Sequence, residues 1–189
     1  SCSWNPAYNG RNLRELLEER GLAPTMENAA DLVMELEKNG SCSAVYHAMH
    51  EDDVVRIMQH PRTMIASDGG IYENDGSVPH PRNYGSFARV LGVFVRERGV
   101  LDFATAIHKM SRMPADRIGL GDRGRIEPGA MADIAVLDPG TIIDRATYRN
   151  PYQEAIGLEA VLVNGTPVIL EGELVEETWP GERLLAEGK

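Results

Sequence analysis

The stretch "MIASDGGIYENDGSVPHPRNYGSFARVLG", residues 64–92, decides how this chain is read. An apolar run ends on a single acid, Asp68, and two glycines follow at once. A polar loop rich in turn residues then leads into an amphipathic helical pattern. A short, continuously apolar run is what a parallel strand covered on both faces looks like. In parallel α/β folds the chemistry gathers at the carboxyl ends of strands. An acid directly after "MIAS" therefore stands where a general base or a metal ligand would. Asp-Gly is also a common turn dipeptide, and a turn cap is the competing reading of Asp68. Within "HPRNYG" (80–85), Arg82 can grip a carboxylate through two parallel hydrogen bonds, and His80 titrates near neutrality. The alternative there is a solvated loop that the prolines merely stiffen.

Outward from this stretch the pattern alternates. "RNLRELLEERG" places Leu13, Leu16 and Leu17 on one face and stops at Gly21, which predicts a helix. "PTMENAADLVMELEKNG" predicts a second, with Thr25 or Asn28 as its cap. "SCSAVYHAM" (41–49) reads as a strand, "EDDVVRIMQH" as a helix, and "TMIAS" (63–67) as the next strand. "SFARVLGVFVRERG" and "LDFATAIHKMSR" read as two more helices. Strand and helix alternating at this spacing mean βα units and a parallel sheet. The pattern changes near Pro114. "DIAVLD", "EAVLVNG" and "TPVILEG" are short β runs between turns, the last two forming a hairpin about Asn164-Gly165. The expectation is two parts: α/β over 1–113, then a small antiparallel β portion and a loosely held tail (181–189) over 114–189.

Composition bounds the partners. A net charge of −10 over 189 residues, with the basic side chains scattered, leaves no surface to neutralise phosphates or bind anionic lipid. No apolar run approaches the roughly 18 residues of a membrane span. Only Cys2 and Cys42 occur, far apart, which fits a reducing cytoplasm better than a disulfide-built fold. The histidines at 47, 50, 60, 80 and 108 form no His-x-His pair, and a complete metal site is not encoded. Gly119-x-Gly121-x-x-Gly124 matches a dinucleotide fingerprint by letter. It leaves a helix and enters a strand, the reverse of what phosphate binding needs.

One family matches these blocks. "SDGG…HPRNYGSFARVLGVFVRERGVL…AIHKMSRMPADRIGLGDRGRIEPGAMADIAVLDP" resembles the C-terminal part of the N-acyl-D-amino-acid deacylases, members of the amidohydrolase superfamily. The block from Arg123 to Asp133 marks the superfamily, and the "SDG…HPR-x-YG" segment points to the deacylase branch. The resemblance implies the last βα units of a (β/α)8 barrel, followed by part of a small antiparallel β domain. It implies that Asp68 is the catalytic acid/base beside the metal and at most a weak ligand to it. Arg82 would anchor the substrate carboxylate, with His80 and Tyr84 in the substrate-binding neighbourhood and Ser67 and Gly69 framing Asp68. The substrate would be an N-acyl-D-amino acid and the cofactor zinc.

The zinc ligands of that family fall on strands that would precede Ser1. A full barrel takes about 250 residues, so this chain is expected to lack its front part. Without a metal, water stays far too weak an acid for a carboxylate to deprotonate at neutral pH. The chain alone is therefore expected to be inactive and not to bind zinc by itself. Two readings compete. One is a non-catalytic remnant that associates with a second copy or a missing N-terminal half, because barrel strands leave open edges. The other keeps the superfamily and acts on a cyclic amide such as a hydantoin or dihydropyrimidine.

Overall fold

The structure is a computed structural model and describes residues 1–184, so the expected loose tail lies from residue 185 onward outside the described residues. Residues 1–48, 68–84 and 146–153 make one compact unit; residues 49–67, 85–145 and 154–189 make the other.

In the first unit, helix α1 (Leu13–Glu19) starts where Asn12 and Glu15 close a reciprocal capping box, each side chain taking the other's backbone N–H. Thr25 caps α2 (Met26–Lys38) by accepting from Asn28 N–H. The two helices bury Leu16, Leu17, Leu32 and Leu36 in a cluster walled by Trp4, Tyr8 and Cys42. Arg20 crosses from the end of α1 to hold Glu35 at 2.7 Å.

Cys2 and Cys42 are joined in a disulfide, their Cα atoms 4.4 Å apart. This corrects the expectation of unpaired cysteines. Their separation of 40 residues hides an approach that α1 and α2 create by folding back on each other, with Ser43 N–H donating to Ser1 O at 2.8 Å. The pairing removes the cysteine-based reason for expecting a reducing compartment. No helix among the described residues is long and apolar enough to cross a membrane.

The second unit holds α3 (Glu51–Gln59), the body of α4 (Arg82–Arg89), α5 (Phe103–Met110) and α6 (Arg112–Ile118). Helix α4 runs on as a wider π-helical segment, Val90–Glu97. Leu91, Phe94, Ala106, Met58 and Ile142 form the buried core of this unit. Two glycines let the long helix dock. A Cβ on Gly85 would lie 2.6 Å from Asp144 Cβ, and one on Gly92 would lie 2.5 Å from Ile143 Cδ1. Between and beyond them, Arg89 reaches Asp144 at 3.3 Å and Arg96 donates to Ile142 O at 2.6 Å. Helix α6 is an addition to the expected elements, and residue 113 lies inside it. Pro114 does not break it, because the first helical turn needs no N–H from that residue.

Neither segment expected as a parallel strand is one. Residues 41–49 and 63–67 form neither helix nor ladder among the described residues. A strand needs a neighbour that pairs along its length, and among the described residues the backbone bonds of these segments are isolated ones, such as Ser43 with Ser1 and Ile65 with Lys109. Residues 63–67 are held instead by Lys109, which is 3% exposed. Its Nζ donates to His60 O at 2.5 Å and Thr63 O at 2.9 Å, and its carbonyl accepts Ile65 N–H at 3.0 Å.

The expected antiparallel part is present. Strands β1 (Ile134–Leu137), β2 (Leu158–Val163), β3 (Thr166–Leu170) and β4 (Glu173–Leu174) form a sheet in that order. Ile134 faces Leu162, and Val163 faces Thr166 across the turn. Asn164 and Gly165 sit at φ +50° and +80°, the left-handed pair a two-residue hairpin turn requires. The Arg123–Asp133 block serves this turn. Arg123 pairs with Asp133 and donates to Asn164 Oδ1 at 2.9 Å, while Asn164 N–H donates to Asp133 Oδ1 at 2.8 Å. Burial pushes the Asp133 carboxyl up, but the Asn164 N–H and the Arg123 guanidinium outweigh it, and the net shift is downward. The glycines of the fingerprint-like run close α6 rather than open a helix: Gly119 is its left-handed cap, and Gly124 packs on Ser111 O.

Candidate active site

The predicted site residues lie together in the first unit, on the chain from 68 to 84. Asp68 adopts φ +49°, a left-handed conformation uncommon outside glycine but tolerated by Asp and Asn. Gly69 follows, and a Cβ there would meet Asn83 Cα at 3.1 Å and Arg82 O at 3.2 Å. The glycine thus lets the chain after Asp68 press against the start of α4. Gly70 N–H donates to Asn83 Oδ1 at 2.9 Å and locks that approach. The result is a carboxylate–guanidinium pair: Arg82 Nη2 lies 3.0 Å from Asp68 Oδ2. Asp68 is 85% exposed and Arg82 44%. Ser67, the other framing position, is half-buried.

His80 turns inward beside this pair. Its Nδ1 accepts the Arg82 backbone N–H at 3.0 Å, which leaves the proton of the neutral ring on Nε2. Burial lowers its pKa, and Arg82 and His47 lower it further. The ring stands edge-on to Tyr148 at 5.2 Å, and His47 meets the same tyrosine at 5.1 Å.

Tyr84 donates its hydroxyl to Tyr72 O at 2.9 Å, so that donor is committed to the loop. Burial, with a lesser contribution from Tyr152, pushes the phenol's pKa up. Tyr152 stacks edge-on with Tyr84 at 5.5 Å and donates to Glu73 O at 3.0 Å, with Ser77 Oγ 3.1 Å from the same hydroxyl. Asn83, Tyr84 and Tyr152 thus pin the backbone of residues 70–77. The sequence reading did not single out Asn83, Tyr72, Tyr148 or Tyr152. The two tyrosines of "ATYRNPYQ" lie about seventy residues from the loop they hold, and no local pattern marks them.

Among the described residues no three His, Cys, Asp or Glu side chains are grouped so that they could hold a metal ion. The Asp68 carboxylate faces Arg82 instead.

The amidohydrolase family model matches residues 9–169, and the chain belongs to that family. Within it, the similarity is to enzymes named for D-amino-acid substrates. The chain is 41% identical over 167 residues to D-aminoacylase of Alcaligenes xylosoxydans xylosoxydans, covering 88% of this chain and 32% of that protein. It is 37% identical over 188 residues to N-acyl-D-aspartate deacylase of the same organism, covering 98% and 34%. A D-aminoacylase structure described by its binuclear metal centre superposes with a TM-score of 0.78 at 37% identity, covering 93% of this chain and 35% of that one. An N-acyl-D-glutamate deacylase from Bordetella bronchiseptica was solved with zinc and a phosphonate mimic of the tetrahedral intermediate. It superposes with a TM-score of 0.71 at 39% identity, covering 84% and 31%. The expected fold class, barrel βα units followed by part of a small antiparallel domain, is therefore that of the D-aminoacylase amidohydrolases. The chain spans about a third of the length of the curated relatives it matches.

Proposed function

We propose that this chain carries the proton-transfer group and the substrate anchor of an N-acyl-D-amino-acid deacylase. Arg82 holds the α-carboxylate of the substrate. Asp68 takes a proton from the attacking water and returns it to the amide nitrogen as the C–N bond breaks. His80, neutral near pH 7, offers Nε2–H beside the anchor, and Tyr84 with Tyr152 keeps the loop in shape. The single observation that supports this reading is the Asp68–Arg82 pair at 3.0 Å, in a chain 37–41% identical to D-amino-acid deacylases.

Zinc is proposed as the cofactor of the working enzyme, held by polypeptide other than these residues. The 189-residue chain by itself is then inactive. Exposed apolar side chains outside the helices and strands, Tyr46 at 84% and Ile71 at 104%, favour a chain that works against further protein. The proposed occupant is the remainder of a deacylase-length polypeptide rather than a second copy. Sedimentation of the chain with and without that remainder tests it.

The activity test measures acetate release from N-acetyl-D-amino acids and from their L-enantiomers. In a deacylase-length protein bearing these residues, the D-substrates turn over, and Asp68→Asn lowers kcat by about 10²–10⁴ without changing KM greatly. Hydrolysis by the 189-residue chain alone that a chelator abolishes would overturn the inactive-alone reading. Faster turnover of a hydantoin than of any linear substrate would move the assignment to cyclic amides.

A further inference from the structure

The loop that leads to His80 and Arg82 is held from two sides within the first unit. Tyr84 and Tyr152 form one hold, through Tyr72 O and Glu73 O. The other is the segment that the disulfide joins to Cys42. Ser1 Oγ accepts Val78 N–H at 2.8 Å, and Asn9 Nδ2 donates to Gly76 O at 2.9 Å. Asn9 is itself tied to the cysteine, because its Oδ1 accepts Cys2 N–H at 2.7 Å. A Cβ on Gly10 would stand 3.4 Å from Val78 Cγ2, so this segment also packs against the loop. Cys2 and Cys42 line one cleft of about 430 Å³ together with Asp75, Gly76 and Ser77.

We infer that the Cys2–Cys42 disulfide is a redox-sensitive clasp on this loop. Oxidised, it fixes residues 76–78 and with them the approach to His80 and Arg82. Reduced, it releases that hold while the tyrosine hold stays in place.

The physical reason lies in how the two cysteines are seated. The bond spans 40 residues of sequence, and cutting it restores the chain freedom that the crosslink had removed. Two thiols cannot sit as close together as two bonded sulfurs, so one side must give. Cys42 packs against the leucine cluster of α1 and α2. Ser1 and Cys2 are held beside it by hydrogen bonds to Ser43 and Asn9. The displacement therefore falls on the residues that reach Val78 directly and Gly76 through Asn9. A dithiol performs the step: its thiolate attacks one sulfur, the S–S bond breaks through a mixed disulfide, and two S–H groups form. The dithiol gives up two electrons and two protons as it closes to its own disulfide.

The test is hydrogen exchange by NMR on the 189-residue chain, first oxidised and then treated with dithiothreitol, with alkylation and mass measurement counting the free thiols. Val78 N–H reports the disulfide hold. Gly70 N–H, bound to Asn83 Oδ1, reports a part of the loop that stays fixed. On reduction, Val78 should exchange faster by about tenfold or more and Gly70 by less than about twofold, with recovery on reoxidation. Cys2→Ser should show fast Val78 exchange and no response to dithiothreitol. Asn9→Ala keeps both cysteines and should speed Val78 exchange in the oxidised chain. If Cys2→Ser does not fold, reduction of the wild type and the Asn9→Ala variant still decide the matter. Equal acceleration at Val78 and Gly70 is general loosening and overturns the clasp. So does an unchanged Val78 in a chain whose two thiols are free, or an Asn9→Ala chain that protects Val78 as the wild type does. Two free thiols in the chain before any reductant is added overturn it outright.

Discussion

Two Arg–Asp pairs in this molecule use the same chemistry to opposite ends. Arg123 and Asp133 lie in the block that marks the superfamily, and both also bind Asn164 at the hairpin turn. Arg123 is 12% exposed and binds Asn164 besides its acid, while Asp133 also takes the Asn164 N–H. Arg82 and Asp68 lie in the block that marks the deacylase branch, and their faces are open to solvent. A pair whose arginine is largely covered and whose hydrogen bonds are shared with a turn residue is architecture, because removing one partner leaves the turn without its donor. An open pair contributes little to stability and is available to a solute. Motif strength alone does not tell the two apart, since both blocks carry the family resemblance; exposure and saturation do.

The contrast can be broken by experiment. The largest effect on stability should come from Arg123→Ala, which leaves Asp133 and Asn164 without their shared donor. A loss of roughly 1–3 kcal/mol is expected in urea unfolding. Arg82→Gln should cost under about 1 kcal/mol in the same assay. If the two variants lose stability alike, the division into an architectural and an available pair is wrong.

The smallest effect concerns pH. Burial, Arg82 and His47 hold His80 below its ordinary value of 6.5. An unfolded histidine therefore binds its proton before the folded one does. The unfolded state gains protons first as pH falls, and stability drops from pH 6.5 towards the lower folded value. The contribution is complete above pH 6.5. His80→Gln should flatten that part of the curve, read as the difference in melting temperature between wild type and variant from pH 7.5 to 5.5.

Sequence reading succeeded where the cause was local. The helices at 13–19, 26–38, 51–59 and 103–110 follow from apolar spacing and their caps, and the Asn164-Gly165 turn follows from two residues that accept positive φ. It failed where a local pattern needed a distant partner. "TMIAS" is apolar and short enough for a strand, yet a ladder needs a neighbour, and the Ile65 N–H goes to the carbonyl of Lys109 in a helix instead. Helix α6 was missed because Pro114 reads as a breaker unless its place in the first turn is known.

The candidate site divides in the same way. Asp68, His80, Arg82 and Tyr84 were visible as residue types in a turn-rich loop, and the letters show what each could do. That Asp68 and Arg82 meet, that His80 keeps its proton on Nε2, and that Tyr152 pins the loop beside Tyr84 are facts of three-dimensional approach. Helix periods, caps and turn dipeptides act over a few residues, so the chain encodes them directly. Pairings across fourteen, forty or eighty residues depend on which surfaces pack together, and only the folded chain decides them: Asp68 with Arg82, Cys2 with Cys42, Glu73 with Tyr152.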